Sequence, residues 1–209
     1  MPGEVHHLDT IEKLRAVIGQ PGAGIELKIY DHLPEEAAAF LGLAPFLVLA
    51  TSDADGRLDA SPKGDAPGFV RIEDDRTIVI PDRPGNKLAY GLTNIVSNPR
   101  VGLIFLIPGT TETLRINGTA ELRDDPELLE SLAARGKPAV LAIRVTIEEC
   151  FFHCSKAFLR SQLWDPARYV ERSELPSSGE MHRRRDPSFD AEAYDAERAE
   201  RYARREGFY

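Results

Sequence analysis

Residues 46–63 read FLVLATSDADGRLDASPK, and this stretch decides the class of fold. Residues 46–51 are apolar and rich in β-forming side chains, and residues 57–63 continue the chain after a turn at residues 53–56. An Asp/Gly turn between two such segments is typical of a β-hairpin. The stretch therefore predicts two antiparallel strands.

Further strands are expected on its C-terminal side. Residues 69–72 and 77–80 predict a second pair, and residues 139–153 predict a long final strand. Residues 101–107 carry no charge and predict a strand that is buried on both faces. Residues 113–123 alternate in polarity, and one face of that strand collects Leu114, Ile116, Gly118, Ala120 and Leu122.

Helices are predicted between and around these strands. Apolar spacing favours helices over residues 9–18 and 34–42, over residues 87–96, and from residue 124 to about residue 135. Because strands and helices do not alternate regularly, the pattern does not indicate a doubly wound parallel sheet. Six or seven short strands with inserted helices favour a closed or partly closed antiparallel barrel.

Composition limits the classes of function. A net charge of -8 over 209 residues argues against a nucleic-acid partner, because phosphate binding requires a basic face. No apolar run approaches the roughly 20 residues that span a bilayer. Residues 1–7 lack the pattern of a signal peptide. A cytoplasmic protein without a membrane segment is expected.

The last part of the chain is polar. Residues 177–209 contain eight acids and seven arginines, and residues 190–205 predict a helix with acid–base pairs at helical spacing. We expect a solvated arm that packs on itself or on a partner subunit.

Two loops rich in glycine and proline are candidates for a binding site. Residues 61–69 (SPKGDAPGF) follow a strand and include Lys63, which suits close approach of the backbone to a planar ligand and contact with an anion. Residues 80–88 (IPDRPGNKL) join a strand to a helix start, where phosphate binds well. An ordinary strand connection and an ordinary capped helix remain alternatives for the two loops. Neither loop has a P-loop or Rossmann pattern.

The two cysteines do not predict a metal site or a disulfide. At about 3.3 Å per strand residue, Cys150 and Cys154 lie about 13 Å apart, which is too far for either. Both are expected to be buried as small apolar side chains.

Taken together, these segments resemble the FMN-binding split-barrel superfamily of pyridoxamine 5′-phosphate oxidase, and most closely a bacterial FMN-dependent branch of unassigned substrate. The resemblance covers about 120 residues, from residue 45 to residue 166. Its anchors are residues 59–65 (DASPKGD), 80–86 (IPDRPGN), 98–102 (NPRVG), 112–118 (ETLRING) and 153–164 (HCSKAFLRSQLW).

The resemblance implies a mainly β fold with helices, a split barrel of six to seven antiparallel strands of Greek-key type. It implies FMN in a groove at the interface of a homodimer, to which both subunits contribute. The cofactor-binding residues implied are Ser61, Pro62, Lys63, Gly64, Ile80, Pro81, Arg83, Asn86, Lys87, Thr113, Arg115, Lys156, Arg160 and Trp164.

This sequence departs from the family pattern at three places. Asn86 stands where the family usually has an arginine for the phosphate, so Lys63, Arg83 or Arg115 must supply that charge. Thr113 stands where the oxidases use a glutamine near the flavin. The Arg and His that grip the substrate phosphate in true oxidases have no match near the C-terminus.

The expected organisation is an N-terminal helical extension (1–42) that packs on the barrel, an FMN-binding split-barrel domain (43–166) and a polar, partly helical C-terminal arm (167–209). The expected function is that of an FMN-dependent oxidoreductase acting on a small molecule, with a nicotinamide as candidate electron donor. A non-enzymatic flavin-binding protein, or a barrel that uses deazaflavin or haem with His153 as ligand, remains an alternative. No catalytic residue and no metal ligand is predicted.

Overall fold

One antiparallel sheet of seven strands organises the chain in this computed structural model, which describes residues 7–209. Residues 1–6, where the predicted extension begins, lie outside the described residues. The strands are β1 (Phe46–Ser52), β2 (Leu58–Gly64), β3 (Arg71–Asp74), β4 (Thr77–Asp82), β5 (Arg100–Leu106), β6 (Thr113–Arg123) and β7 (Leu141–His153).

The strand order is β2-β1-β5-β6-β7-β4-β3, and each neighbouring pair is antiparallel. β1 and β2 form the predicted hairpin, in which Phe46 lies opposite Gly64 and Ser52 opposite Leu58. β6 and β7 are the two longest strands and pair with each other near the middle of the sheet. The fold is the split barrel that the sequence predicts.

Residues 7–209 contain seven α-helices. They are α1 (Ile11–Ile18), α2 (Glu35–Leu43), α3 (Tyr90–Ser97), α4 (Pro126–Ser131), α5 (Lys156–Ser161), α6 (Ser178–Arg183) and α7 (Ala191–Ala203). None of these helices is long and apolar enough to cross a membrane. Of the seven, α2, α3 and α4 pack against the sheet.

The core lies inside the barrel. Its fully buried side chains come from alternate positions of the strands, since successive strand residues point to opposite faces. They include Leu47, Leu49, Ile78, Ile80, Leu103, Phe105, Leu114, Ile116, Ile143 and Val145. α2 closes one side of this core with Ala37 and Leu41, whereas α1 buries no residue.

A glycine fixes the irregularity between the two longest strands. The register of β6 against β7 shifts between Asn117 and Gly118. A Cβ atom at Gly118 would lie 2.0 Å from the carbonyl oxygen of Thr146. The close approach of the two backbones therefore requires glycine at this position.

The structure corrects several details of the sequence-based prediction. β5 is not buried on both faces, because its residues alternate between buried and partly exposed. α4 ends at Ser131, since Ala134 and Lys137 form a β-bridge around Arg135, whose φ is positive. α3 begins at Tyr90 rather than at Lys87, because Lys87 and Ala89 have positive φ.

The polar arm packs largely on itself. Ser177 and Glu180 form a capping box at the start of α6, and the backbone N–H of Gly179 donates to Asp195 of α7 at 2.9 Å. The rings of His182, Phe189 and Tyr194 pack together between the two helices, with centroids 5.0–5.4 Å apart. The predicted helix with acid–base pairs is α7, in which Glu197 pairs with Arg201.

Candidate functional site

A groove of about 790 Å³ lies where β2, the end of β4 and the start of α3 meet. A groove of this size is in the range that binds small molecules and cofactors. Both loops that the sequence singled out contribute to its wall. The wall includes Asp59, Ser61, Pro62, Lys63, Gly64, Pro81, Asp82, Arg83, Asn86, Lys87, Leu88, Tyr90, Gly91 and Val140.

The β2 wall of the groove is polar and tightly packed against α3. Ser61 donates a hydrogen bond to Asp59 two residues earlier on the same face of the strand. A Cβ atom at Gly91 would lie 3.0 Å from the Asp59 carboxylate and 3.4 Å from the Ser61 hydroxyl. Glycine at this position of α3 therefore lets the helix backbone approach β2 closely.

The loop between β4 and α3 has an unusual backbone. Lys87 has φ 62° and Ala89 has φ 53°, in the left-handed region that residues with a Cβ rarely adopt. The Asn86 side chain accepts a hydrogen bond from the Leu88 N–H at 3.0 Å and supports this turn. Such conformations cost free energy and are concentrated at ligand sites.

The first turn of α3 lies at this groove without a side-chain cap. The first N–H groups of a helix have no acceptor within the helix, and together with the helix dipole they attract anions. Tyr90 and Gly91 of this turn and the preceding Lys87 all line the groove. This end of the groove therefore suits a phosphate group.

Two of the cations in the groove are already paired with acids. Lys63 forms an ion pair with Asp82, and both side chains are less than one-fifth exposed. Arg83 Nε donates to Asp65 Oδ2 at 2.8 Å. Lys87 has no ion-pair partner within residues 7–209, so its charge is the one directly available to an anionic ligand.

Asp65 holds a small network beside the groove. It accepts hydrogen bonds from Arg83 and from Tyr209 Oη, the latter at 2.7 Å. Burial acts to raise the pKa of Asp65, but the hydrogen bonds from Tyr209, the Ala66 N–H and Arg83 outweigh it and lower the pKa. Asp65 is therefore ionised at neutral pH and fixes the position of the Arg83 side chain.

The structure brings eight of the sequence-predicted cofactor residues together in one groove. They are Ser61, Pro62, Lys63, Gly64, Pro81, Arg83, Asn86 and Lys87. Ile80 lies next to them on β4, but its side chain is fully buried and packs in the barrel core.

Five predicted residues lie outside this groove in the single chain. Thr113 is buried at the start of β6, and the Arg115 guanidinium lies 5.1 Å from the Phe151 ring centroid. Lys156 and Arg160 are exposed on α5. Trp164 stacks on Phe158 and donates to the Thr110 carbonyl at 2.6 Å.

Sequence reasoning missed the acids of the site. Asp82 lies inside the loop at residues 80–88, but β2 and β4 are not neighbours in the sheet, so local residue order could not predict its pairing with Lys63. Tyr209 is 144 residues away from Asp65 in the chain. No local pattern signals that contact.

The cysteines and other metal-ligating residues do not add a second site. Both cysteines are free, and burial raises the pKa of Cys150 to about 11, so it remains a thiol. Cys154 is exposed, which corrects the expectation that both are buried. Within residues 7–209, no three His, Cys, Asp or Glu side chains are grouped to hold a metal ion.

Comparison with known proteins gives a family match. The sequence profile of the pyridoxamine 5′-phosphate oxidase family matches residues 33–154, which is more than half of the chain. No curated protein matches the chain.

Several solved structures are similar to this chain. A putative pyridoxamine 5′-phosphate oxidase from Lactobacillus delbrueckii is 28% identical, with a TM-score of 0.45 over 58% of this chain and 95% of its own. HupZ from Group A Streptococcus is 20% identical, with a TM-score of 0.46 over 57% and 92%. An FMN-binding protein from Syntrophomonas wolfei is 13% identical, with a TM-score of 0.45 over 58% and 86%. All three TM-scores are below 0.5, so the family assignment depends on the profile match.

Proposed function

The chain belongs to the pyridoxamine 5′-phosphate oxidase family, and from this we propose that it is an FMN-dependent oxidoreductase that acts on a small molecule. The observation that carries the proposal is the groove in which the β2 wall, Lys87 and the uncapped first turn of α3 meet. A ligand with one phosphate and one planar ring system matches this arrangement.

The chemistry of the groove fits FMN. The α3 N-terminus and Lys87 would hold the phosphate, because both favour a dianion. The backbone of residues 61–64 and Pro81 would border the ring, since the groove wall there offers backbone and small side chains. Bound FMN would supply hydride and electron transfer at its ring, while the protein binds and orients it.

The Lys63–Asp82 pair would give the ring edge a fixed electrostatic environment. Asp82 holds the Nζ atom of Lys63, so this cation is positioned before a ligand binds. The Lys63 end of this pair would stabilise the negative charge that develops on a flavin upon reduction, but less than a free cation would, because Asp82 offsets part of its charge. A nicotinamide is the candidate electron donor in this proposal.

The cofactor proposal is tested by the purified protein itself. We expect a yellow protein that releases FMN after acid extraction, identified by chromatography against FMN, FAD and riboflavin standards. Oxidation of NADH or NADPH by that protein would distinguish an enzyme from a flavin store. Recovery of FAD, haem or deazaflavin, or no chromophore even after FMN is added, would contradict the proposal.

A homodimer is the second part of the proposal. Leu88 and Tyr90 line the groove yet are 58% and 63% exposed, and Leu58 on β2 is 85% exposed. Large apolar side chains beside a binding groove are typical of an interaction surface. A two-fold partner would cover them and form two equivalent sites.

The dimer also gives a role to four of the predicted residues that lie outside the groove. In this proposal Arg115, Lys156, Arg160 and Trp164 would reach the flavin from the opposite subunit, whereas the buried Thr113 side chain would not contact it. We expect light scattering to give twice the chain mass of 23.2 kDa. A monomer that binds FMN tightly would contradict the shared site.

A further inference from the structure

A second groove, which we call the arginine groove, lies on the other side of Arg83. It has a volume of about 680 Å³ and is formed by the loop after β2, by β3, by the segment after α4, and by Tyr209. Arg83 is the one lining residue that it shares with the groove described above.

The charge of the arginine groove differs from that of the whole protein. Its lining side chains include Arg71, Arg83 and Arg135 but a single acid, Asp65, so the cationic side chains exceed the acidic ones by two. The chain as a whole carries a net charge of -8. A concentration of positive charge in a concave site focuses the field on an anion.

The one acid in this lining is already engaged. Asp65 accepts hydrogen bonds from Arg83 at 2.8 Å and from Tyr209 at 2.7 Å. Asp65 therefore neutralises part of the charge of Arg83. Arg71 and Arg135 have no acidic side chain as a partner in the groove lining. Arg71 donates through Nη1 to the neutral hydroxyl of Ser131 at 2.8 Å.

Two guanidinium N–H groups in this lining lack acceptors. Arg71 Nε and Arg83 Nη1 are both buried and have no hydrogen-bond partner among residues 7–209. A buried donor without an acceptor costs free energy, so an acceptor such as a bound anion or a water molecule is expected beside each of them. Guanidinium groups match the geometry of carboxylate and phosphate oxygens.

Tyr209 gives the groove a rigid side. Its ring centroid lies 5.7 Å from the Arg83 guanidinium and 5.2 Å from that of Arg135. Lys137 donates to the main-chain oxygen of Tyr209, the last residue of the sequence, at 2.9 Å and so offsets the negative charge of the carboxylate there. Arg83 and Arg135 are thus both held against the Tyr209 ring. This contact reduces the conformational entropy that their side chains lose when a ligand binds.

The remaining lining is apolar and includes Pro67, Phe69, Leu132 and Ala133. We propose that the arginine groove is a binding site for a small organic anion, whose carboxylate or phosphate contacts Arg71 and Arg135 and whose apolar part packs on Phe69 and Leu132. This site is separate from the site proposed for FMN and goes beyond that function.

The test uses anionic probes on the full-length protein, both as purified and after saturation with FMN. Benzoate and phenyl phosphate are titrated by calorimetry, with the neutral benzamide as a control. We expect both anions to bind and benzamide not to bind. Arg71→Gln and Arg135→Gln should each weaken the anions about tenfold, because each removes a charge-assisted contact.

Arg168→Gln is the matched control, since Arg168 is exposed and lies outside the groove. It should leave the affinity for both anions unchanged. Circular dichroism and an FMN titration of each variant show whether the fold and the flavin groove are intact. Folded variants that bind FMN normally and the anions tenfold more weakly would support the proposal.

Three results would overturn it. The first is that neither anion binds at millimolar concentration. The second is that the anions bind equally well to the wild type and to both groove variants. The third is that FMN saturation abolishes anion binding, which would assign the groove to the flavin phosphate. A protein that binds the anions but not FMN would instead contradict the proposed function alone.

Discussion

Lys87→Ala is expected to lower the affinity for FMN by about ten- to a hundredfold, because a charge-assisted phosphate contact contributes about 1.5–3 kcal/mol. Lys87 lines the groove beside the uncapped first turn of α3 and has no ion-pair partner within residues 7–209. Its whole charge is therefore available to the ligand. Fluorescence titration of the apoprotein with FMN and with riboflavin measures the effect.

Riboflavin makes this prediction specific, because it lacks the phosphate. We expect its affinity to stay within about twofold of the wild type. Alanine also has a Cβ, so the substitution leaves the left-handed backbone at this position equally disfavoured and changes mainly the charge. Lys13→Ala on α1, whose lysine pairs with Asp9, is a matched control. Equal losses for the two flavins would show that Lys87 supports the loop rather than the phosphate.

Gly118→Ala is expected to lower the free energy of unfolding by about 3 kcal/mol or more, which corresponds to about 6–12 °C in Tm for a chain of this size. The added Cβ would lie 2.0 Å from the Thr146 carbonyl oxygen. Because that atom belongs to the backbone of β7, relief of the clash must move one of the two longest strands. Urea unfolding followed by circular dichroism measures the change.

Gly102→Ala provides the comparison within the same sheet. Gly102 lies on β5 opposite Asn117, and its added Cβ would meet the end of the Asn117 side chain at 3.4 Å, an ordinary contact. We expect a change of less than about 1 kcal/mol. A similar stability for both variants would mean that β6 and β7 can separate at the bulge without loss of the barrel.

The sequence located the loops of the candidate site but did not predict which of their charged side chains form ion pairs. The loops at residues 61–69 and 80–88 were identified from glycine, proline and cations that follow strands. The net charge of these loops could not be identified in the same way. Lys63 pairs with Asp82 and Arg83 pairs with Asp65 across the groove wall. β2 and β4 do not pair in the sheet, so only the folding of the whole chain brings their ends together and decides which acid each cation meets.

Sequence alone determined the strands, because an alternating pattern with turn residues between the segments has few other solutions. The hairpin at residues 46–63, the alternation of β6 and the long final strand β7 all follow from local residue order. The helix boundaries were less accurate, since the positive φ values at Lys87, Ala89 and Arg135 depend on contacts beyond their neighbours in the chain.

Tertiary structure decided how distant segments meet. The order β2-β1-β5-β6-β7-β4-β3 places β4 beside β7, so a loop that follows β4 lies near the segment after α4. Tyr209 reaches Asp65 over 144 residues and completes the arginine groove. Local patterns cannot encode such contacts, because the free energy of a long-range contact depends on the closure of the whole barrel rather than on the residues near it in sequence.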